Sequence, residues 1–163
     1  MWFRETVRKI PRYLECFVCG RENAAGLDVQ FFRDGEKIVC DWLPVEKHLG
    51  YRDRVHGGVV ASILDEALSW APAREYQRMC FSIELCIKYR RPIPSGEAVR
   101  VEAEVVEWKP RASKARGRIL NAAGQVCAEA TGVFLPLKDG KTEEILPALY
   151  IEGEERKVTL EDL

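Results

Sequence analysis

Apolar and polar residues alternate most regularly over residues 97–108, EAVRVEAEVVEW, where Val99, Val101, Ala103 and Val105 interleave with Arg100, Glu102 and Glu104. A period of two is the mark of a strand with one covered face. Residues 80–91, 112–121 and 125–136 have similar β character, the last two joined across Asn121-Ala-Ala-Gly124, and residues 27–43 form two β-rich runs around Asp34-Gly35, a hairpin signal. The pattern changes once. In HGGVVASILDEALSWAP, long side chains and alanines persist for about four turns from Gly58 until Pro72 ends the run, which predicts a helix. Its apolar residues Val59, Val60, Ile63, Leu64, Leu68 and Trp70 go most of the way round, as in a helix buried by more than one surface. The predicted order is β-β-α-β-β-β(β). Its economical solution is an α+β fold in which a curved antiparallel sheet wraps one long central helix.

One stripe of that helix breaks the apolar pattern. At 100° per residue, Ser62, Asp65, Glu66 and Ser69 share roughly a quarter of the circumference. A carboxylate is costly to bury in an apolar helix without a purpose or partner, so Asp65 is the leading candidate for chemistry and Glu66 the competing acid. Val55-His56-Gly57-Gly58 precedes the helix. Its glycines permit close backbone approach, and N–H groups at a helix N-terminus carry the positive end of the macrodipole, where they polarise a carbonyl. Gly57 and Asp65 are separated by about 12 Å of helix rise, too far to share one carbonyl within a subunit. Two helices antiparallel across a dimer interface would bring them together. His56 is expected to brace the loop and helix start.

The 163 residues fit one domain, read as an N-terminal extension (1–15), a body (16–137) and an acidic tail (138–163) in which only TLEDL suggests a short helix. The tail carries eight of the 26 Asp and Glu residues but four of the 25 Lys and Arg, leaving the remainder with a surplus of three positive charges. This weakly favours a small anionic ligand, and without a dense basic stripe it argues against nucleic acid. No run approaches the roughly 20 apolar residues of a membrane span, and the opening residues do not resemble a secretory signal, so the expected location is cytoplasmic. The six cysteines are then expected as reduced thiols. Cys16-x-x-Cys19 resembles half a zinc site, but the chain has no second close pair, and no metal is expected.

V-H-G-G-x-x-A-x-x-x-D from Val55 to Asp65, followed by Ser82-Ile-Glu-Leu-Cys-Ile-Lys-Tyr-x-Arg-Pro and Gly96-Glu97, resembles the hotdog-fold acyl-CoA thioesterases, in particular the phenylacetate-degradation type. The likeness covers residues 16–136, and Cys16-Phe-Val-Cys-Gly-x-x-Asn-x-x-Gly-Leu27 resembles a further subset of the superfamily. It implies hydrolysis of an acyl-CoA thioester at a site between subunits of a homodimer or homotetramer. By the same likeness Asp65 matches the catalytic acid, the N–H of Gly57 or Gly58 matches the group that polarises the carbonyl, and Ser82 matches a strand Ser or Thr that helps hold the attacking water in some members. Some relatives have Asn or Gln six residues before the His, where this chain has Gly50. Arg90, Arg91 and Arg116 are candidates for the coenzyme A phosphates, with Lys114 and Arg118 beside them. Coenzyme A enters as part of the substrate, with no separate cofactor. A non-catalytic acyl-CoA-binding or regulatory protein is the alternative. A dehydratase or hydratase ranks lower, because His48 and His56 both precede the helix.

Overall fold

The structure is a computed structural model that describes residues 7–163; residues 1–6, the first part of the predicted N-terminal extension, lie outside the described residues. In chain order the elements are β1 (Arg8–Lys9), β2 (Arg12–Tyr13), β3 (Phe32–Asp34), β4 (Lys37–Trp42), β5 (Leu49–Tyr51), β6 (Arg54–Val55), α1 (Gly57–Trp70), α2 (Ala73–Tyr76), β7 (Cys80–Tyr89), β8 (Val99–Glu107), β9 (Ser113–Leu120), β10 (Val126–Pro136), α3 (Lys141–Ile145) and β11 (Leu149–Tyr150). Seven strands form an antiparallel sheet in the order β1-β3-β4-β8-β9-β10-β7. The predicted hairpin pairs Phe32 with Val39 and Asp34 with Lys37, and Gly35 takes the left-handed conformation of the turn with φ 61°.

The sheet curls around α1, which packs against β4, β7, β8, β9 and β10. Ile63, Leu64, Ala67 and Leu68 are completely buried against the inward residues Ile38, Val101, Ala115, Ile119 and Phe134. This is the hotdog arrangement. The strand alternation follows from it: Ala115, Gly117 and Ile119 face the helix while Lys114, Arg116 and Arg118 face outward. On that outer face Glu104 pairs with Arg116 at 2.7 Å and Glu102 with Arg118 at 3.1 Å. A Cβ on Gly117 would stand 2.5 Å from Leu68 Cδ1 and 2.9 Å from the Glu102 carbonyl oxygen, so this position sets how closely the helix approaches.

The two ends of the sheet differ. β1 is two residues long, whereas β7 runs for ten and pairs with β10 on one side only, leaving Phe81, Ile83 and Tyr89 exposed. The segments that flank the body in sequence pack back onto it. β2 pairs with β11, and Arg33 Nη2 donates to the carbonyl oxygens of Trp70 at 3.1 Å and Leu163 at 2.8 Å, holding the C-terminus over the end of α1. The acidic tail thus forms α3, β11 and a final 3-10 turn, Leu160–Asp162, which lies within TLEDL.

The loop ahead of α1 is anchored by His48, which is buried, tilts its ring 5.2 Å from that of Trp42 and accepts at Nδ1 from the Val45 N–H at 3.1 Å. Its carbonyl accepts from the His56 N–H at 2.9 Å, so the core imidazole sets the position of the helix start.

Gly117→Val is expected to destabilise the fold by about 3 kcal/mol, read as a lower urea midpoint, because the added carbons meet Leu68 and the β8 backbone. Burial, aided by Lys47, holds the His48 imidazole below its ordinary pKa. The unfolded chain therefore takes up this proton more readily than the folded one. The stability that His48 contributes is present above about pH 6.5 and is lost as pH falls toward the folded value. Denaturation midpoints should drop between about pH 7.5 and about pH 5.5, and His48→Gln should flatten that dependence.

Candidate active site

His56 is the N-cap of α1: its backbone is extended (φ −61°, ψ 135°), and its Nδ1 accepts from the Gly58 N–H at 2.9 Å. This follows from the local sequence. A Cβ on Gly58 would lie 3.0 Å from that Nδ1, and one on Gly50 would lie 3.2 Å from the His56 ring, so two glycines make room for the imidazole. The bracing role expected of His56 is thereby given a definite form, and Gly50, which departs from the Asn or Gln of some relatives, is the surface on which His56 packs. The two candidate donors are also distinguished. The Gly58 N–H is occupied by His56, whereas the Gly57 N–H meets no acceptor among the described residues. Tyr89, part of the strand motif but assigned no role by the sequence, donates from its hydroxyl to the Gly57 carbonyl at 2.9 Å and ties the helix start to β7.

A cleft of about 490 Å³ opens at this helix start, and its lining includes Gly57, His56, Tyr89, Arg90 and Arg91. Arg90 reaches Glu129 Oε1 through Nε at 3.1 Å, and Arg91 Nη1 donates to the Val126 carbonyl at 2.9 Å. Each guanidinium is steadied and keeps further N–H donors. Arg116 is not part of this cleft. It lines a separate groove on the outer face of the sheet, paired with Glu104, because the alternation that aims Ala115 and Gly117 at α1 aims Arg116 away.

Asp65 lies on a half-buried stripe of α1, and its Oδ1 is buried without a hydrogen-bond partner among the described residues. The two serines of the stripe do not serve it: Ser62 Oγ donates to the Gly58 carbonyl at 2.8 Å and Ser69 Oγ to the Glu66 carbonyl at 2.9 Å. Ser82 is exposed on β7 opposite Phe134, beside the shift of register at Val133 and Phe134.

The neighbouring carboxylate has different surroundings. Glu66 turns toward the Cys16–Cys19 turn, with its Oε2 3.2 Å from Cys16 Sγ and one proton between them. Burial, reinforced by the Cys16 sulfur, pushes the Glu66 carboxyl up to about 8. The Cys19 thiol, hydrogen-bonded to Cys16 and buried, is pushed well above its ordinary value. Of the two acids in the stripe, Glu66 is engaged by the N-terminal turn, whereas the buried Asp65 Oδ1 meets no hydrogen-bond partner among the described residues.

Residues 53–128, which include α1 and most of the sheet, match the family model of the thioesterase superfamily. Among solved structures, a thioesterase superfamily protein is 28% identical with a TM-score of 0.70; the match covers 75% of this chain and 60% of that neighbour's length. The PaaI protein of the Escherichia coli phenylacetic acid degradation operon superposes with a TM-score of 0.63 at 19% identity, over 68% of this chain and 80% of that one. A hypothetical thioesterase of Streptococcus pneumoniae, solved with coenzyme A, gives 0.59 at 19% identity, over 64% of this chain and 82% of that one. No described helix is long and apolar enough to cross a membrane. The helix wrapped by its sheet, the matched segment and the structural neighbours agree: this chain has the hotdog fold, and over residues 53–128 it is similar to the thioesterase superfamily.

Proposed function

We propose that the protein hydrolyses an acyl-CoA thioester in a site completed by two copies of the chain. The observation that carries this reading is the Asp65 carboxylate, whose buried Oδ1 has no hydrogen-bond partner among the described residues, on the same helix as a Gly57 N–H that meets no acceptor among them. The helix rise of about 12 Å between them is too great for one carbonyl to reach both. A second α1, antiparallel to the first, brings the Gly57 of one copy to the Asp65 of the other. The long edge strand β7, with its exposed Phe81 and Ile83, offers the twofold pairing surface that would place Ser82 at the junction.

In that arrangement the thioester oxygen accepts from the Gly57 N–H, where the helix dipole favours the developing negative charge. Asp65 takes a proton from water as it attacks the carbonyl carbon and passes that proton to the departing sulfur, or attacks that carbon itself to form a mixed anhydride that water then hydrolyses, regenerating the carboxylate. The C–S bond breaks, the sulfur leaves with a proton as coenzyme A, and the acyl group leaves as a carboxylic acid. Tyr89 and His56 hold the donor in place rather than react. Arg90 and Arg91 at the cleft are suited to the phosphates of coenzyme A, and the neighbour solved with coenzyme A supports a ligand of that class.

The test is a panel of acyl-CoAs from acetyl to palmitoyl, with phenylacetyl and benzoyl, in which free coenzyme A is quantified by chromatography. Wild type is expected to turn over at least one, and Asp65→Asn to lose about 10²- to 10⁴-fold in kcat. Binding of an acyl-CoA in calorimetry without turnover of any would assign the protein to the non-catalytic alternative. Light scattering after size exclusion is expected to show a dimer or a dimer of dimers, and an active monomer would overturn the shared site.

A further inference from the structure

The side chains of Cys16, Cys19 and Glu66 each present one metal-ligating atom, and the three atoms lie within 4.8 Å of one another. The third ligand is not foreseeable from spacing, because Glu66 is 47 positions beyond Cys19 and belongs to α1. The Cys16–Cys19 turn is built as a ligand turn. The backbone N–H groups of Val18 and Cys19 both point at Cys16 Sγ, at 3.3 and 3.5 Å, an arrangement that favours sulfur bound as thiolate. Gly20 closes the turn by donating to the Cys16 carbonyl at 2.9 Å, and a Cβ there would stand 2.2 Å from that oxygen. The buried Arg12 donates from Nε to the Cys19 carbonyl at 2.7 Å and pairs with Asp28, which clamps the turn from behind.

We propose that Cys16, Cys19 and Glu66 bind a divalent cation of the zinc class, which fastens the N-terminal turn to the central helix. Two thiolates and a carboxylate suit zinc in number and softness, and the half-exposed side of Cys16 leaves the fourth position to water. Binding displaces the protons held by the three groups. The role is structural, and its test does not depend on the proposed hydrolysis: the cation would fix Glu66 and the turn of α1 to which it belongs.

The full-length reduced protein is dialysed against zinc or cobalt(II), then freed of loose metal and analysed. About one equivalent per chain is expected, with a thiolate-to-cobalt band in the near ultraviolet and the visible bands of tetrahedral cobalt. Cys16→Ser, Cys19→Ser and Glu66→Gln should each weaken zinc affinity by at least about 100-fold in competition with a chelator. The wild-type cobalt spectrum decides the matter even if a variant fails to fold. No bound metal, with Cys16 and Cys19 both free to alkylate, would overturn the proposal. So would a Cys16–Cys19 disulfide in place of metal, which would assign the pair to thiol–disulfide exchange, or full affinity in a folded Glu66→Gln variant.

Discussion

Leu68 reaches into the space that a side chain at position 117 would fill, and this approach sets the depth of α1 in the sheet. Much else follows from that depth. With α1 seated against β8, β9 and β10, Ile63, Leu64 and Ala67 are sealed from water, and the helix turns its one polar stripe toward the half-open side. The start of the helix is then fixed from outside by three small contacts: His48 to His56, His56 to Gly58 and Tyr89 to Gly57. The core sets how deep the helix lies, and these hydrogen bonds set where it begins.

Two adjacent carboxylates on one helix show how strongly position decides chemistry. Asp65 and Glu66 are separated by about 100° of helical rotation, which turns Glu66 against the Cys16–Cys19 thiols and leaves the buried Asp65 Oδ1 without a partner among the described residues. Burial and the adjacent Cys16 sulfur push the Glu66 carboxyl above its ordinary range. The Asp65 stripe offers only serines whose hydroxyls are already committed to the backbone. Environments this different on neighbouring residues suit different roles, one adhesive and one reactive.

The long elements were legible because their patterns are long. Alternation in β8 and β9, the Gly35 turn and the run from Gly57 to Trp70 each span enough residues to express a period. The two-residue strands β1, β2 and β11 do not, and they form because the body supplies partners. At the site, the helix-start motif and the polar stripe were readable because both are local. The occupation of the Gly58 N–H by His56 is a rotamer outcome that spacing does not encode, and Tyr89 and the Cys16–Glu66 contact join residues far apart in the chain. Arg116 shows the converse: grouped with Arg90 and Arg91 by charge, it is separated from them by strand phase.

The unequal edges of the sheet make its growth self-limiting. A ten-residue margin with apolar side chains invites extension, while a margin of two residues offers almost nothing to build on. If two copies meet margin to margin through β7, each uses up the other's only adhesive side, and what is left outward at both ends is the stub β1. Such a sheet closes as a finite object with no propagating end, so an exposed strand that would be an aggregation hazard in another fold becomes its own terminator.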